Sequence, residues 1–340
     1  ASLLAAGGLL APAAALRGGA QPGHSPAHRE NADYALEARS LHAAFQEKFA
    51  SKVRETFAGL GSAAVLTVSG SVDRLLANFL LQARSAALAS GGQLTVVNAV
   101  LDPTNRDACA RVQQLNQSEA APLRVVCLDL LGWLPPCPSR SMYLFSKPLV
   151  FLEAVQASDH GVLMMDLDVV LHRDLVALAE RRWQQQEGVV LVTGAEGGKC
   201  CNTGTVFATR ASVPLMKAWV SEDVRWYRQD NLGDQRALIE VVRGNLTQLG
   251  LNASQVALFP KEVVLQECQK CRCPGGCRQC PDGGPAAIHY NCMNTHVNVE
   301  HDLSTRGDWG DVDAIVGKKK DVPFMMGQKA LRARRCREKK

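Results

Sequence analysis

Aromatic residues are scarce in this 340-residue chain, 5% of the total, and no stretch interleaves them with basic residues. A surface that stacks bases needs both, so no nucleic-acid partner is expected. Also missing is any run of about 20 apolar residues, the length a helix needs to cross a bilayer. No self-similarity recurs at the periods of solenoids or propellers. The first residue is not Met: "ASLLAAGGLLAPAAALRGGAQPG" reads as the apolar remainder of a signal sequence or anchor, with Ala13 and Ala15 framing a cleavage site, or else as an Ala-rich terminus with neither role. Membrane attachment is expected only through such an anchor. Basic charge is not spread either: the net +5 comes largely from "GKKKD" and "LRARRCREKK" at the end of the chain, a pattern typical of a solvated tail.

What the chain does have is a 46% hydrophobic composition, enough for a substantial core, and twelve cysteines. Three N-x-[ST] triplets stand at Asn116, Asn245 and Asn252. Cysteines in even number together with these triplets favour an oxidising lumen of the secretory pathway.

Five segments emerge along the chain. Residues 1–33 read as a leader remnant and linker, 34–60 as an amphipathic docking helix, 61–310 as a catalytic domain and 311–340 as a basic tail, with a Cys-rich insertion over 266–284 inside the domain. The helix rests on Leu36, Leu41, Phe45, Phe49, Val53 and Phe57, spaced four or five apart on one stripe. Then "AAVLTVSG", "QLTVVNAVLD", "LRVVCLDL" and "GVLMMD" read as strands, separated by the helical "SVDRLLANFLLQARSAALAS", "RDACARVQQLN" and "FSKPLVFLEAVQA". Strands alternating with helices of this length imply right-handed crossovers and a mixed, mostly parallel α/β sheet flanked by helices. "GVVLVTG", "CNTGTVFATR", "QVALFP" and "AAIHYN" read as later, less regular strands.

Asp166 and Asp168 close the fourth strand in "VLMMDLDVVLHRDL". Asp is common where strands stop, so a plain turn is one reading. Open α/β sheets bind ligands beyond the carboxyl ends of their strands, however, and two carboxylates there suit a hard divalent ion such as Mn2+ or Mg2+ bearing a diphosphate. An apolar strand ending in D-x-D also resembles the nucleophile motif of haloacid-dehalogenase-type phosphohydrolases, and Thr193 after "VVLV" resembles their second motif. Against that reading, about a hundred residues of α/β chain precede the motif and no acidic pair follows to complete their Mg2+ site. A third reading is a non-catalytic, Cys-rich binding protein on the same fold.

From Ala63 to Trp309 the chain resembles the GT-A-type nucleotide-diphospho-sugar transferases of glycosyltransferase family 77, which includes plant and algal xylosyl-, arabinosyl- and galactosyltransferases. The resemblance runs in order through "LLANFLLQAR" with Asn78, "FSKPLVFLEAV" with Lys147, the D-x-D strand, "CNTGTVFATR", "LGDQRAL" and "IHYN". It implies a GT-A-like fold, a UDP-sugar donor, a glycan or glycoprotein acceptor, retention of anomeric configuration and a Golgi lumenal site of action. Asp168 would ligate the metal, Asp166 would share it or hold the donor ribose, and His289 would complete the ligand set. Asn202, Gly204, Lys147 and Asn78 would serve donor and sugar binding. Asp234, with Gln235, would face the anomeric carbon as a shield or transient nucleophile. The Lys that often follows the closing His in that family is absent from "NTHVNVEHDLSTRGDW"; His296, Arg306 or a tail Lys would have to substitute.

The cluster "CQKCRCPGGCRQC" places Cys268, Cys271, Cys273, Cys277 and Cys280 together, with Cys292 beyond. Its C-x2-C pairs suit a zinc knuckle in a reducing compartment and a disulfide-stapled loop in an oxidising one.

Overall fold

Four short apolar runs fold as the alternation requires. In the computed structural model, which describes residues 26–70, 73–116, 121–136, 138–185, 188–196, 199–228, 233–244, 246–260, 263–266, 285–290, 296–305 and 307–317, they form β1 (Ala64–Ser69), β2 (Leu94–Val100), β3 (Leu123–Asp129) and β4 (Val162–Met165). Between them run α3 (Asp73–Ser90), α4 (Pro103–Leu115) and α5 (Arg140–Ala157). Asp102 caps α4, its side chain accepting from the Thr104 amide before Pro103 at the first helical position. A disulfide, Cys109–Cys127, ties α4 to β3.

The strands lie in the order β3-β2-β1-β4-β7-β6-β8, where β6 is Leu191–Glu196, β7 Lys199–Ala208 and β8 Val256–Leu258. The pairs from β3 to β4 and the pair β6 with β8 are parallel, while β7 runs antiparallel to both neighbours. This is the mixed, mostly parallel sheet that the sequence predicts. Helices cover both faces. Val65, Val96 and Val125 pack under α3 and α4, and Leu66, Val97 and Met164 pack under α5 and the helix α7 (Val213–Trp226).

A second sheet was not anticipated. β5 (Val169–Leu171) follows the D-x-D, pairs antiparallel with β10 (Ala287–His289), and β10 pairs parallel with β9 (Val264–Gln266). Strands of three residues carry too little periodicity to be read from sequence. The remaining helices are α6 (Leu175–Gln185), α8 (Gly233–Gly244), α9 (His296–Thr305) and α10 (Val312–Val316).

The docking helix differs from expectation in its limits. Two helices stand there, α1 (Pro26–Lys48), which starts inside the expected linker, and α2 (Ala50–Ala58). Phe49 breaks the run, with φ −125 and ψ −23. Phe45, Val53 and Phe57 are buried as the stripe requires, whereas Leu36 is 63% exposed. Docking is polar as well as apolar: Gln46 and Arg54 both reach Glu153 of α5, at 2.8 and 3.1 Å, and the Trp133 indole donates to the Leu41 carbonyl. Among the described residues no helix is long and apolar enough to cross a membrane. The leader, the cysteines of the 268–280 cluster, Cys292, Arg306 and the tail from residue 318 lie outside the described residues, whereas the start of the expected tail forms α10.

Candidate active site

The D-x-D answers to two strands at once. β4 ends at Met165, and the chain turns at once, the Val169 amide donating to the Asp166 carbonyl at 3.1 Å. Leu167, between the acids, is buried in the core, and the half-buried carboxylates on either side are left beyond the sheet edge. The register of β10 against β5 then sets His289 opposite Val169, and the Tyr290 amide donates to the Asp168 carbonyl at 2.9 Å. His289 Nε2 lies 3.3 Å from Asp168 Oδ1. One ligand atom from each of Asp166, Asp168 and His289 falls within 4.8 Å of the others.

The imidazole fits because residue 204 has no side chain. A Cβ on Gly204 would stand 2.2 Å from His289 Cε1 and 2.7 Å from Nε2. Gly204, expected to serve sugar binding, thus makes room for a protein group, the His289 ring. Asn202 holds this turn, its Oδ1 accepting from the Gly204 amide at 2.8 Å, and the Gly204 carbonyl accepts from the Asp166 amide at 2.9 Å. A register irregularity where Gly194 pairs with Asn202 sets this stretch of β7 off from the rest of its ladder. Thr193 is buried and spends its hydroxyl on the Asn202 carbonyl at 2.7 Å, so it is a strand residue there rather than a second phosphohydrolase motif.

Lys147, in the middle of α5, is buried and joins two acids. Its Nζ stands 2.7 Å from Asp166 Oδ1 and 2.9 Å from Asp234 Oδ2. Burial opposes the ammonium, but Asp166 and Asp234 outweigh it and hold its pKa well above the ordinary lysine value. Asp234 sits in the first turn of α8, 2% exposed, with Oδ2 also accepting from the Thr203 hydroxyl at 3.0 Å and its carbonyl accepting from the Trp219 indole at 2.7 Å. Gln235 beside it is partly exposed. For Asp166, burial pushes the carboxyl pKa up, Lys147 pulls it down, and Asp168 pushes it up again. Burial also opposes the His289 imidazolium, yet Asp168 and Asp166 raise its pKa above the ordinary histidine value. Three carboxylates, Asp166, Asp168 and Asp234, thus gather around one amine and one imidazole. The donor set of two carboxylates and one imidazole, with His289 Nδ1 buried and without a hydrogen bond, suits a divalent cation.

Asn78 has other partners. Its Nδ2 donates to the Asp308 carbonyl at 3.2 Å, and its Oδ1 accepts from the Gly310 amide at 2.8 Å. That spends its amide on pinning the chain after α9 to α3. Thr203, Trp219 and the buried Asp223 were not singled out from sequence. Thr203 stands inside the quoted Asn-x-Gly, so its place was legible; nothing in the helical stretch around Trp219 and Asp223 signals that they face Asp234.

Residues 146–303 match the family model described as nucleotide-diphospho-sugar transferase, a segment that holds every one of these site residues except Asn78. This segment is thus similar to the nucleotide-diphospho-sugar transferases, a match that supports the expectation of a glycosyltransferase enzyme. Among solved structures it is similar to the galactosyltransferase LgtC in complex with donor and acceptor sugar analogues, at 14% identity over 77% of this chain and 98% of that one, with a TM-score of 0.45. It is also similar to apo mouse xyloside xylosyltransferase 1, at 12% identity over 68% of this chain and 99% of that one, TM-score 0.42. The apo bifunctional glycosyltransferase WbbM gives 12% identity over 70% of this chain, TM-score 0.44, and the chain spans 47% of that protein's length. No curated protein sequence matches the chain.

Proposed function

We propose that the protein is a metal-dependent glycosyltransferase that moves a pentose or galactose from a UDP-sugar to a glycan or glycoprotein, with retention, as a relative of glycosyltransferase family 77. The observation that carries this reading is the Asp166–Asp168–His289 cluster beyond the end of β4, within the segment that matches the transferase model.

Mn2+ or Mg2+, when held by these three side chains, supplies the positive charge that a departing diphosphate needs. The rest falls to the chain. Lys147 bridges Asp166 and Asp234 at 2.7 and 2.9 Å and so holds both carboxylates in place, so neither must reorganise as charge develops. Asp234 is caged by Lys147 and Thr203, which suits a fixed negative potential that shields positive charge at the anomeric carbon better than a mobile nucleophile. Gln235, the less buried member of the pair, would contact the sugar. Asn202 and Gly204 keep the imidazole in position, and a Golgi lumenal location accords with the Cys109–Cys127 bond.

The test is UDP release across UDP-xylose, UDP-arabinose, UDP-galactose and UDP-glucose with Mn2+ present. Release from at least one donor, lost in Asp168→Ala, is expected. Failure with all four, or metal-dependent release of phosphate from simple monoesters without UDP, would sink the reading.

A further inference from the structure

The N-x-[ST] triplets play no part in this site, and the structure separates two of them. Asn116 ends α4 half-buried, and its Nδ2, the atom a glycan would occupy, donates to the Val112 carbonyl at 2.8 Å. Asn245 lies outside the described residues. Asn252, Ala253 and Ser254 are all exposed. The Asn252 Oδ1 accepts from the Ser254 amide at 3.0 Å and from the Ser254 hydroxyl, and its backbone N–H donates to Gln255 Oε1 at 2.9 Å. Its Nδ2 makes no hydrogen bond among the described residues. The triplet is thus folded with the hydroxyl of its third residue against the amide of its first, and the nitrogen to be substituted is uncommitted.

Its place in the sheet matters as much. β8 begins four residues later and is the edge of the seven-stranded sheet. It runs parallel to β6, which is antiparallel to β7, which is antiparallel to β4, so β8 and β4 run the same way. The carboxylates stand past the carboxyl end of β4, whereas Asn252 stands before the amino end of β8. The two therefore lie at opposite ends of the sheet, and a bulky group at Asn252 leaves the site open.

We propose that Asn252 is an N-glycan attachment site, whose glycan flanks the edge strand β8 and blunts its pairing with other chains. The proposal rests on the secretory reading above. The donor is an oligosaccharide on a polyprenyl diphosphate: Asn252 Nδ2 bonds to the sugar C1 and loses one proton, the C1–O bond to phosphate breaks, and polyprenyl diphosphate departs, with no change of oxidation state.

The test uses the full chain directed into the secretory pathway of a eukaryotic cell, then peptide N-glycosidase digestion in heavy-oxygen water and peptide mapping. Residue 252 is expected to be read as heavy-labelled Asp. The label should vanish in Asn252→Gln and Ser254→Ala, persist in Ser254→Thr, and UDP release should be unchanged in all three. A bare Asn252 in chains that have formed the Cys109–Cys127 bond would overturn the attachment site alone. A native chain with those two cysteines reduced would overturn the compartment and the site together.

Discussion

Two buried polar networks meet at the end of β10 and are built to opposite ends. On one side Lys147 joins Asp166 and Asp234, with Asp168 against His289. On the other Asp308 accepts from the Tyr290 hydroxyl at 2.7 Å, lies 3.1 Å from His172 Nε2, and takes the Asn78 and Gln82 amides on its carbonyl. His289 and Tyr290 are neighbours in sequence, so one short strand serves both. In the Asp308 network the single carboxylate has a protein partner on each oxygen, while His172 Nδ1 is buried without a hydrogen bond. The Lys147 network gathers three carboxylates around one amine and one imidazole. A buried carboxylate with both oxygens partnered fastens a fold; a cluster with more carboxylates than basic groups suits a cationic ligand.

The largest expected break of this contrast is Asp168→Ala, which should cut UDP release more than about a hundredfold and abolish saturable Mn2+ binding, with the urea midpoint little changed. Lys147→Met should fail on both counts, because it leaves the buried Asp234 and the half-buried Asp166 without their cation at a cost of about 3–5 kcal/mol; thermal unfolding and Mn2+ titration read it. Gly204→Ala should weaken Mn2+ binding by about 10–100-fold, since the new Cβ displaces the imidazole and leaves both acids in place. Asp308→Asn should do the reverse, costing about 1–3 kcal/mol in urea unfolding with the Mn2+ affinity nearly unchanged.

The smallest effect concerns Asp223, buried on α7 near Asp234. Burial first, then the Asp234 charge, raise its pKa well above the ordinary carboxyl value. The unfolded carboxyl loses its proton at lower pH than the folded one. Its stability penalty is therefore absent below the unfolded pKa and grows as pH rises toward the folded one. Asp223→Asn should raise the melting temperature slightly at pH 7 and leave it unchanged near pH 3.

Much of this was legible because α/β alternation is a strong signal. β1 to β4 fall within the runs that the apolar pattern marks, and Asp166, Asp168, His289, Lys147 and Asp234 are brought together as their motifs suggest. Asn78 shows the limit. A motif names a residue, but whether an amide reaches a ligand or the backbone of residues 308–310 depends on a contact more than two hundred positions away. β5 and β9, of three residues each, escape because tertiary pairing and not period defines them. Asp223 escapes for a related reason: burial of an acid leaves no mark in composition.

The three-residue pairing of β10 has a further consequence. Side chains alternate along a strand, so a slip of one position against β5 would exchange His289 for a neighbour facing the other way. The metal ligand set and the Asp308 latch would be lost in the same step. On the proposed function, cation binding would act as a gauge of alignment: only a chain whose last strand has seated in the right frame would assemble the Asp166–Asp168–His289 cluster.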